Sequence, residues 1–143
     1  MRLALDEARA AADRGEVPVG AVVTDAAGEV IAAAGNRVIE LRDPTAHAEL
    51  LAIRAASARL GTERLIDCDL FVTLEPCPMC AQAIALARLR RLYFAADDAK
   101  GGGVHHGPRL FAQPTCHHRP EVYDGLGAEE AARLLRDFFR DRR

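Results

Sequence analysis

The sequence predicts a three-layer α/β/α domain built around a mixed central sheet. Three observations carry that expectation. Strand-like and helical patterns alternate along the 143 residues, one strand pair is joined by a short polar turn, and no repeat or low-complexity linker interrupts the alternation. Strands separated by helices are expected to run parallel with right-handed crossovers, whereas a hairpin must be antiparallel, so the sheet is mixed. A chain of this length is expected to fold as one domain, residues 1–143, burying roughly two thirds of the surface its unfolded form exposes.

Met1 to Arg14 sets Leu5, Ala8 and Ala12 on one side and charges on the other, the pattern of an amphipathic helix. Val17 to Thr24 and Glu29 to Asn36 read as strands flanking the turn Asp25-Ala26-Ala27-Gly28, hence a hairpin. A helix follows from about Ala46 to Leu60, stopped by Gly61. Its start is signalled by Asp43-Pro44-Thr45, which offers a capping oxygen and a proline at or near the first helical position. Asp69 to Leu74 is a buried strand, Met79 to Leu89 a helix introduced by Pro76 and Pro78, and Leu92 to Ala96 a further strand. After Asp97 a Gly-rich, Pro-containing loop runs through Cys116. A short strand near Glu121 to Asp124 and a last helix from Ala128 complete the chain.

Composition excludes several classes. No apolar run approaches the roughly 20 residues a membrane helix requires. The N-terminal stretch is cut by Asp6, Glu7, Arg9 and Asp13, so it does not read as a signal peptide, and the cytoplasm is the expected location. Four cysteines in a chain of this size, two of them at a metal spacing, argue for ligation rather than for disulfides. Cys68 and Cys116 are left over.

The chemistry sits at two helix starts. His47-Ala48-Glu49 opens one helix and Pro76-Cys77-Pro78-Met79-Cys80 the other. One imidazole and two thiolates, from His47, Cys77 and Cys80, supply three zinc ligands, and three protein ligands leave the fourth tetrahedral position open, as a catalytic site requires. Glu49 lies two residues from His47, about 200° around a helix, so the two cannot easily hold one ion from mid-helix and Glu49 is better placed to carry protons. The positive ends of two helix dipoles at this point favour thiolate over thiol. A metallopeptidase would need two His four apart on one helix face, and no such pair exists.

These motifs resemble the zinc-dependent cytidine and purine deaminase superfamily, whose signature they carry. Arg14-Gly15-Glu16-Val17-Pro18-Val19-Gly20-Ala21-Val22, Asn36-Arg37, Asp43-Pro44-Thr45-Ala46-His47-Ala48-Glu49, Thr73-Leu74-Glu75-Pro76, Asp97-Asp98-Ala99-Lys100 and the closing Asp137-Phe138-Phe139-Arg140-Asp141-Arg142-Arg143 are similar to the bacterial tRNA-specific adenosine deaminases. The likeness spans nearly the whole chain and implies a cytidine-deaminase-like fold, one Zn²⁺ per chain, Glu49 as acid and base, and a homodimer. It further implies conversion of adenosine to inosine, by zinc-activated water, at the wobble position of a tRNA anticodon loop, an arginine tRNA in that family. Asn36 and Asp98 are then expected at the nucleoside. The chain departs from the pattern at Gln82, where those enzymes commonly carry Gly, and at Gly101-Gly102-Gly103-Val104. The middle of the Pro76 to Cys80 motif also occurs in guanine deaminases, so a free-base or nucleoside deaminase acting on guanine or cytosine is the alternative.

Each motif has a plainer reading. Cys77, Cys80 and Cys116 with His117 or His118 would make an adequate structural zinc site, and a non-catalytic zinc-stabilised RNA-binding module would need no more. That reading leaves Pro44 to Glu49 unexplained, as does a redox role for the two cysteines. Asn36 after a strand is a common turn former. Asp97-Asp98 could be a solvated loop, Gly101-Gly102-Gly103 a flexible one, and His105 and His106 exposed members of it.

Formal net charge is −2, so any nucleic-acid contact must come from a local patch. Arg133, Arg136 and Arg140 recur at i, i+3 and i+7 on the last helix, opposite Leu134, Leu135 and Phe138, with Arg142 and Arg143 following. That face is the expected tRNA contact, although arginines in a last turn also complement the helix dipole. Arg88, Arg90 and Arg91 form a second cluster, which could equally face a partner subunit.

Overall fold

The structure, a computed structural model, describes residues 1–142; Arg143 lies outside the described residues. Its elements in chain order are α1 (Arg2–Asp13), β1 (Gly20–Thr24), β2 (Val30–Gly35), α2 (Val38–Leu41), α3 (Ala48–Leu60), β3 (Asp69–Leu74), α4 (Pro78–Leu86), β4 (Arg91–Ala96), a 3₁₀ turn at Leu110–Ala112, β5 (Glu121–Asp124) and α5 (Ala128–Arg140). The strands form one sheet in the order β2-β1-β3-β4-β5. β1 pairs antiparallel with both β2 and β3, while β3, β4 and β5 run parallel, so the expected mixed sheet is observed.

Its two faces are covered differently. Ala21, Val23, Leu70, Val72, Leu92 and Phe94 pack against Ala48, Ala52 and Ala56 of α3 and Ala81, Ile84 and Ala85 of α4. Small residues on the helices let their axes come close to the sheet, and the bulk of the core is supplied by the strands. Phe94 is fully buried, and truncating it to Ala would cost about 3–5 kcal/mol. On the opposite face α1 and α5 bring Leu5 and Ala131 onto Ala95 and Ala96. Helix α1 lies so near β1 that a Cβ on Gly20 would overlap the Ala4 carbonyl oxygen, so that position has room only for glycine. The buried stripe of α1 is Ala4, Leu5, Ala8 and Ala11 rather than one running through Ala12.

The expected element bounds shift where local chemistry intervenes. β1 starts at Gly20, not Val17, because Pro18 has no N–H to give a ladder. The turn after it is fixed by Asp25, whose Oδ1 accepts from the N–H groups of Ala27 and Glu29, and by Gly28 at φ +85°. Helix α4 stops at Leu86, short of Leu89, and the chain then passes through Arg88 at φ +61°. The parallel pair β4–β5 is joined by no α-helix. The intervening loop keeps its shape through other bonds: Cys116 donates to His118 O, His118 Nε2 bonds Leu89 O, and Arg119 donates to the carbonyls of Phe111 and Gln113.

The second arginine cluster is largely committed to the sheet. Arg90 forks onto Asp69 at 2.9 and 2.8 Å, and Arg91 pairs with Glu121 at 2.7 Å. Among the described residues no helix is long and apolar enough to cross a membrane.

Candidate active site and metal centre

Strands β2 and β3 run in the same direction on either side of β1, so the chain leaves both at the same end of the sheet, and α3, after the short α2, and α4 start there. His47 is the N-cap of α3 (φ −75°, ψ 151°) and Cys77 the N-cap of α4 (φ −68°, ψ 170°). Both have extended backbone, and neither side chain caps its helix. Helix α3 therefore begins two residues after the expected Ala46, and His47 stands just outside it. Glu49, in the first turn, reaches the same cleft as His47, which a mid-helix placement would have made difficult.

The capping is supplied from elsewhere. Asn36 Oδ1 accepts from the Ala48 N–H at 2.8 Å, across the end of β2. Asp43, expected to cap α3, instead accepts from Thr45 N–H and Oγ1–H at 2.8 and 2.7 Å and closes a local turn. Helix α4 has Pro78 at its first position, where a missing N–H costs nothing.

His47 Nδ1 lies 3.7 Å from Cys77 Sγ and 3.5 Å from Cys80 Sγ, and the three ligand atoms are all within 4.8 Å of one another. Zinc with Zn–S of about 2.3 Å and Zn–N of about 2.1 Å at a tetrahedral angle sets N and S about 3.6 Å apart, so the spacing fits that ion. The donor set is borderline-soft, as zinc prefers. Cys116 takes no part: its Sγ is committed to His118 O, and it lies outside the cluster. The four-ligand structural site considered from sequence is therefore not assembled.

The electrostatics of the cluster suit a cation. The hydrogen bond from Cys80 pulls the Cys77 thiol down to about 4, with His47 adding to the effect. Cys80, buried and donating to Cys77, is held well above the ordinary thiol range. His47 is raised by its bond to Cys77. Glu49 is 4 % exposed, and burial pushes its carboxyl up to about 7.

His47, Glu49 and Cys77 line a cleft of about 560 Å³ together with Asn36, Glu75, Asp98, Gly101 and Phe138, while Cys80 is buried. That volume falls in the range of small-ligand sites. Asn36 is buried, with its carbonyl oxygen engaged by α3, so what it can offer the cleft is its NH₂ group. Asp98 is at the cleft wall, but its Oδ1 is already accepting from the N–H groups of Lys100 and Gly101. A comparably large hollow of about 610 Å³ lies beside Val104, Arg109, Phe111 and Val122 and holds none of the His47, Glu49 or cysteine chemistry.

The loop after β4 is more tightly held than its composition suggests. His106 is not a free loop residue, since its Nδ1 meets Glu75 Oε1 at 2.8 Å. Gly101-Gly102-Gly103 is not slack: a Cβ on Gly102 would overlap the Glu75 carboxylate, and one on Gly103 would sit 2.6 Å from Pro78 N. Glu75, which the sequence marks only by its place in a motif, is buried and receives Asp98, Val104, His105 and His106 backbone N–H groups. Burial works to raise its carboxyl, and those donors outweigh it and hold the group below its usual range. Glu16 is a second buried carboxylate without a sequence signal; it accepts from Ile39 and Glu40 N–H and anchors α2, whose Val38 and Ile39 line the cleft.

On α5, Arg133, Arg136 and Arg140 are exposed, as their spacing predicts. Arg140 is paired with Asp137 and Asp141, whereas Arg133 and Arg136 have no ion-pair partner among the described residues. Arg142 stacks its guanidinium 3.6 Å over the Phe138 ring, and both line the cleft.

Residues 1–96 match the family described as the cytidine and deoxycytidylate deaminase zinc-binding region. The chain belongs to this deaminase family. It is 60 % identical to the tRNA-specific adenosine deaminase of Agrobacterium fabrum over all of this chain and 93 % of that protein. A solved structure from work on A-to-I editing by tRNA:A34 deaminases at the wobble position superposes with a TM-score of 0.93 at 59 % identity, covering 94 % of this chain and 97 % of that one. A guanine deaminase from Nitrosomonas europaea superposes less closely, with a TM-score of 0.77 at 29 % identity over 94 % of this chain and 80 % of that one. The chain is thus an enzyme of the zinc-binding deaminases, with their α/β fold and a His/Cys/Cys cluster in place.

Proposed function

We propose that this deaminase converts adenosine to inosine by hydrolysis at the wobble position of a tRNA, an arginine tRNA by family resemblance. It would act in the cytoplasm as a homodimer of one-domain chains, each holding one zinc ion through His47, Cys77 and Cys80. The observation that carries the reading is the place of Glu49. Its buried carboxyl, which burial pushes up to about 7, stands beside a zinc-shaped ligand set, in a cleft large enough for a nucleoside.

Bound there, zinc would supply Lewis acidity, which readies water as a nucleophile near neutral pH. Glu49 takes a proton from the attacking water and passes it to purine N1 as the oxygen adds at C6. It then carries the second proton to the departing amine, so that adenosine and water become inosine and ammonia. A group able to hold or release a proton at working pH is what both transfers need. Asn36 presents its NH₂ to an acceptor atom of the nucleoside, and Asp98 borders the mouth of the site. A flipped-out base costs a few kcal/mol to unstack, and least when it comes from a single-stranded loop.

The high identity to a tRNA-specific enzyme along the whole chain supports RNA over a free base, and Arg133, Arg136 and Arg140 are the proposed backbone contacts. The guanine deaminase likeness supports the second reading, a free purine substrate. The zinc-loaded protein should be offered an anticodon stem-loop with one unpaired adenosine, alongside free adenosine, guanine and cytosine, and ammonia release followed. Conversion of the stem-loop at a kcat/KM well above that of every free compound is the expected result; preference for guanine would replace the reading.

A further inference from the structure

Glu75 has no part in the proton transfers, yet its surroundings are built around it. Its side chain is fully enclosed. Oε1 accepts from Asp98 N–H at 3.0 Å and from His106 Nδ1 at 2.8 Å. Oε2 accepts from the backbone N–H groups of Val104, His105 and His106 at 3.2, 3.0 and 3.1 Å. A carboxylate offers about four lone-pair sites, so these donors saturate it.

The donors bracket residues 98 to 106, a stretch with no helix or strand of its own. Backbone N–H groups buried in a loop must find acceptors, and here one carboxylate supplies them. The same stretch is closed on itself by Gly102 N–H donating to Asp98 O, and tied to the start of α4 by Gly103 N–H donating to Pro76 O. Gly102 passes so close to Glu75 that no Cβ fits between them. Asp98 and Gly101 of this stretch form part of the cleft wall.

We propose that Glu75 is a positioning residue that templates the 98–106 loop, so that Asp98 and Gly101 form a preset wall for the nucleotide. This rests on the cleft being the nucleotide site proposed above. An unanchored loop would have to order on binding, and that ordering entropy would weaken substrate affinity. His47, Cys77, Cys80 and Glu49 stand on α3 and α4 or at their first residues, so the chemical step would be spared. The signature is a rise in KM with kcat retained.

Glu75→Gln keeps the shape but turns an NH₂ toward N–H donors. His106→Leu removes one donor from outside, leaves the four backbone donors and lies far along the chain from Cys77. With a zinc-loaded enzyme and the anticodon stem-loop, Glu75→Gln should raise KM by about tenfold or more and His106→Leu by about threefold, with kcat within about twofold. Zinc per chain should stay unchanged. In a Glu49→Gln background, Kd for a fluorescein-labelled stem-loop should rise in the same order. Amide exchange at Val104, His105 and His106 should accelerate in Glu75→Gln. If that variant fails to fold, His106→Leu decides. A fall in kcat at constant KM, or faster loop exchange with KM and Kd unmoved, overturns the proposal. A wild-type enzyme that leaves the stem-loop unconverted defeats the substrate reading instead, and the exchange rates still decide whether Glu75 anchors the loop.

Discussion

Two regions, an inner end at the cleft and an outer end on the exposed face of α5, are made in opposite ways. At the inner end, His47, Glu49, Cys77 and Cys80 come from two helix starts at one end of the sheet, and Glu49 and Cys80 are buried. At the outer end, Arg136, Arg140, Arg142 and Phe139 lie exposed on or just beyond α5, and part of their charge is already paired with Asp137 and Asp141. Burial makes the inner groups strongly interacting and intolerant of change. Solvent and salt screen the outer ones, so each is worth little alone and only their sum matters. Chemistry should therefore fail in one step at the inner end, and RNA binding should fade gradually at the outer end.

The largest effect tests the inner end. Cys77→Ser, or stripping zinc with a chelator, should abolish turnover and lower Tm by on the order of 10 °C, because metal binding is coupled to folding. Cys116→Ser should leave zinc per chain unchanged, since its thiol bonds His118 O and not the cluster. Metal analysis of both variants checks this, and equal zinc loss would bring back the four-ligand structural site.

A smaller effect separates the two duties of Asn36. Asn36→Asp keeps an acceptor for the Ala48 N–H but loses the NH₂ donor, so KM for the stem-loop should rise about tenfold with Tm held. Asn36→Ala loses the cap as well and should cost about 1 kcal/mol of stability in addition. Paired kinetics and thermal melts of the two variants read the difference; an unchanged KM in Asn36→Asp would confine Asn36 to capping.

The smallest effect belongs to the outer end. Replacing Arg133, Arg136 and Arg140 by Ala should flatten the salt dependence of tRNA binding, by about 0.7 in log–log slope for each phosphate that is no longer neutralised. Since Arg140 is paired within α5, the change should correspond to no more than the two unpaired arginines. Turnover on a saturating minimal stem-loop should barely move. An unchanged slope would show that this face is merely solvated.

The contrast also governs what the chain reveals before it folds. The gathering of His47, Cys77 and Cys80 with Glu49 beside them was legible because each motif is short and stands at a helix start. The offset of α3 was not, because the true cap of Ala48 is Asn36, twelve residues earlier and across a strand end. Glu75 and Glu16 were hidden for the same reason: their donors come from segments more than twenty residues away. Helix α2 is four residues long, too short to show a period, and is held by Glu16 rather than by its own sequence. The loop before β5 carries no periodicity at all, yet glycines that suggested slack are the ones fitted most tightly against Glu75 and Pro78.

Glu49 is proposed to move protons beside a zinc site without holding the metal. Glu49→Gln preserves the volume of the side chain and removes its proton-carrying ability. The direct measurement is zinc per chain and inosine formation on the anticodon stem-loop, taken on the same preparation of that variant. Wild-type zinc with turnover lowered by about 10²–10⁴-fold or more is the predicted result. Near-full turnover, or loss of zinc together with turnover, would contradict it.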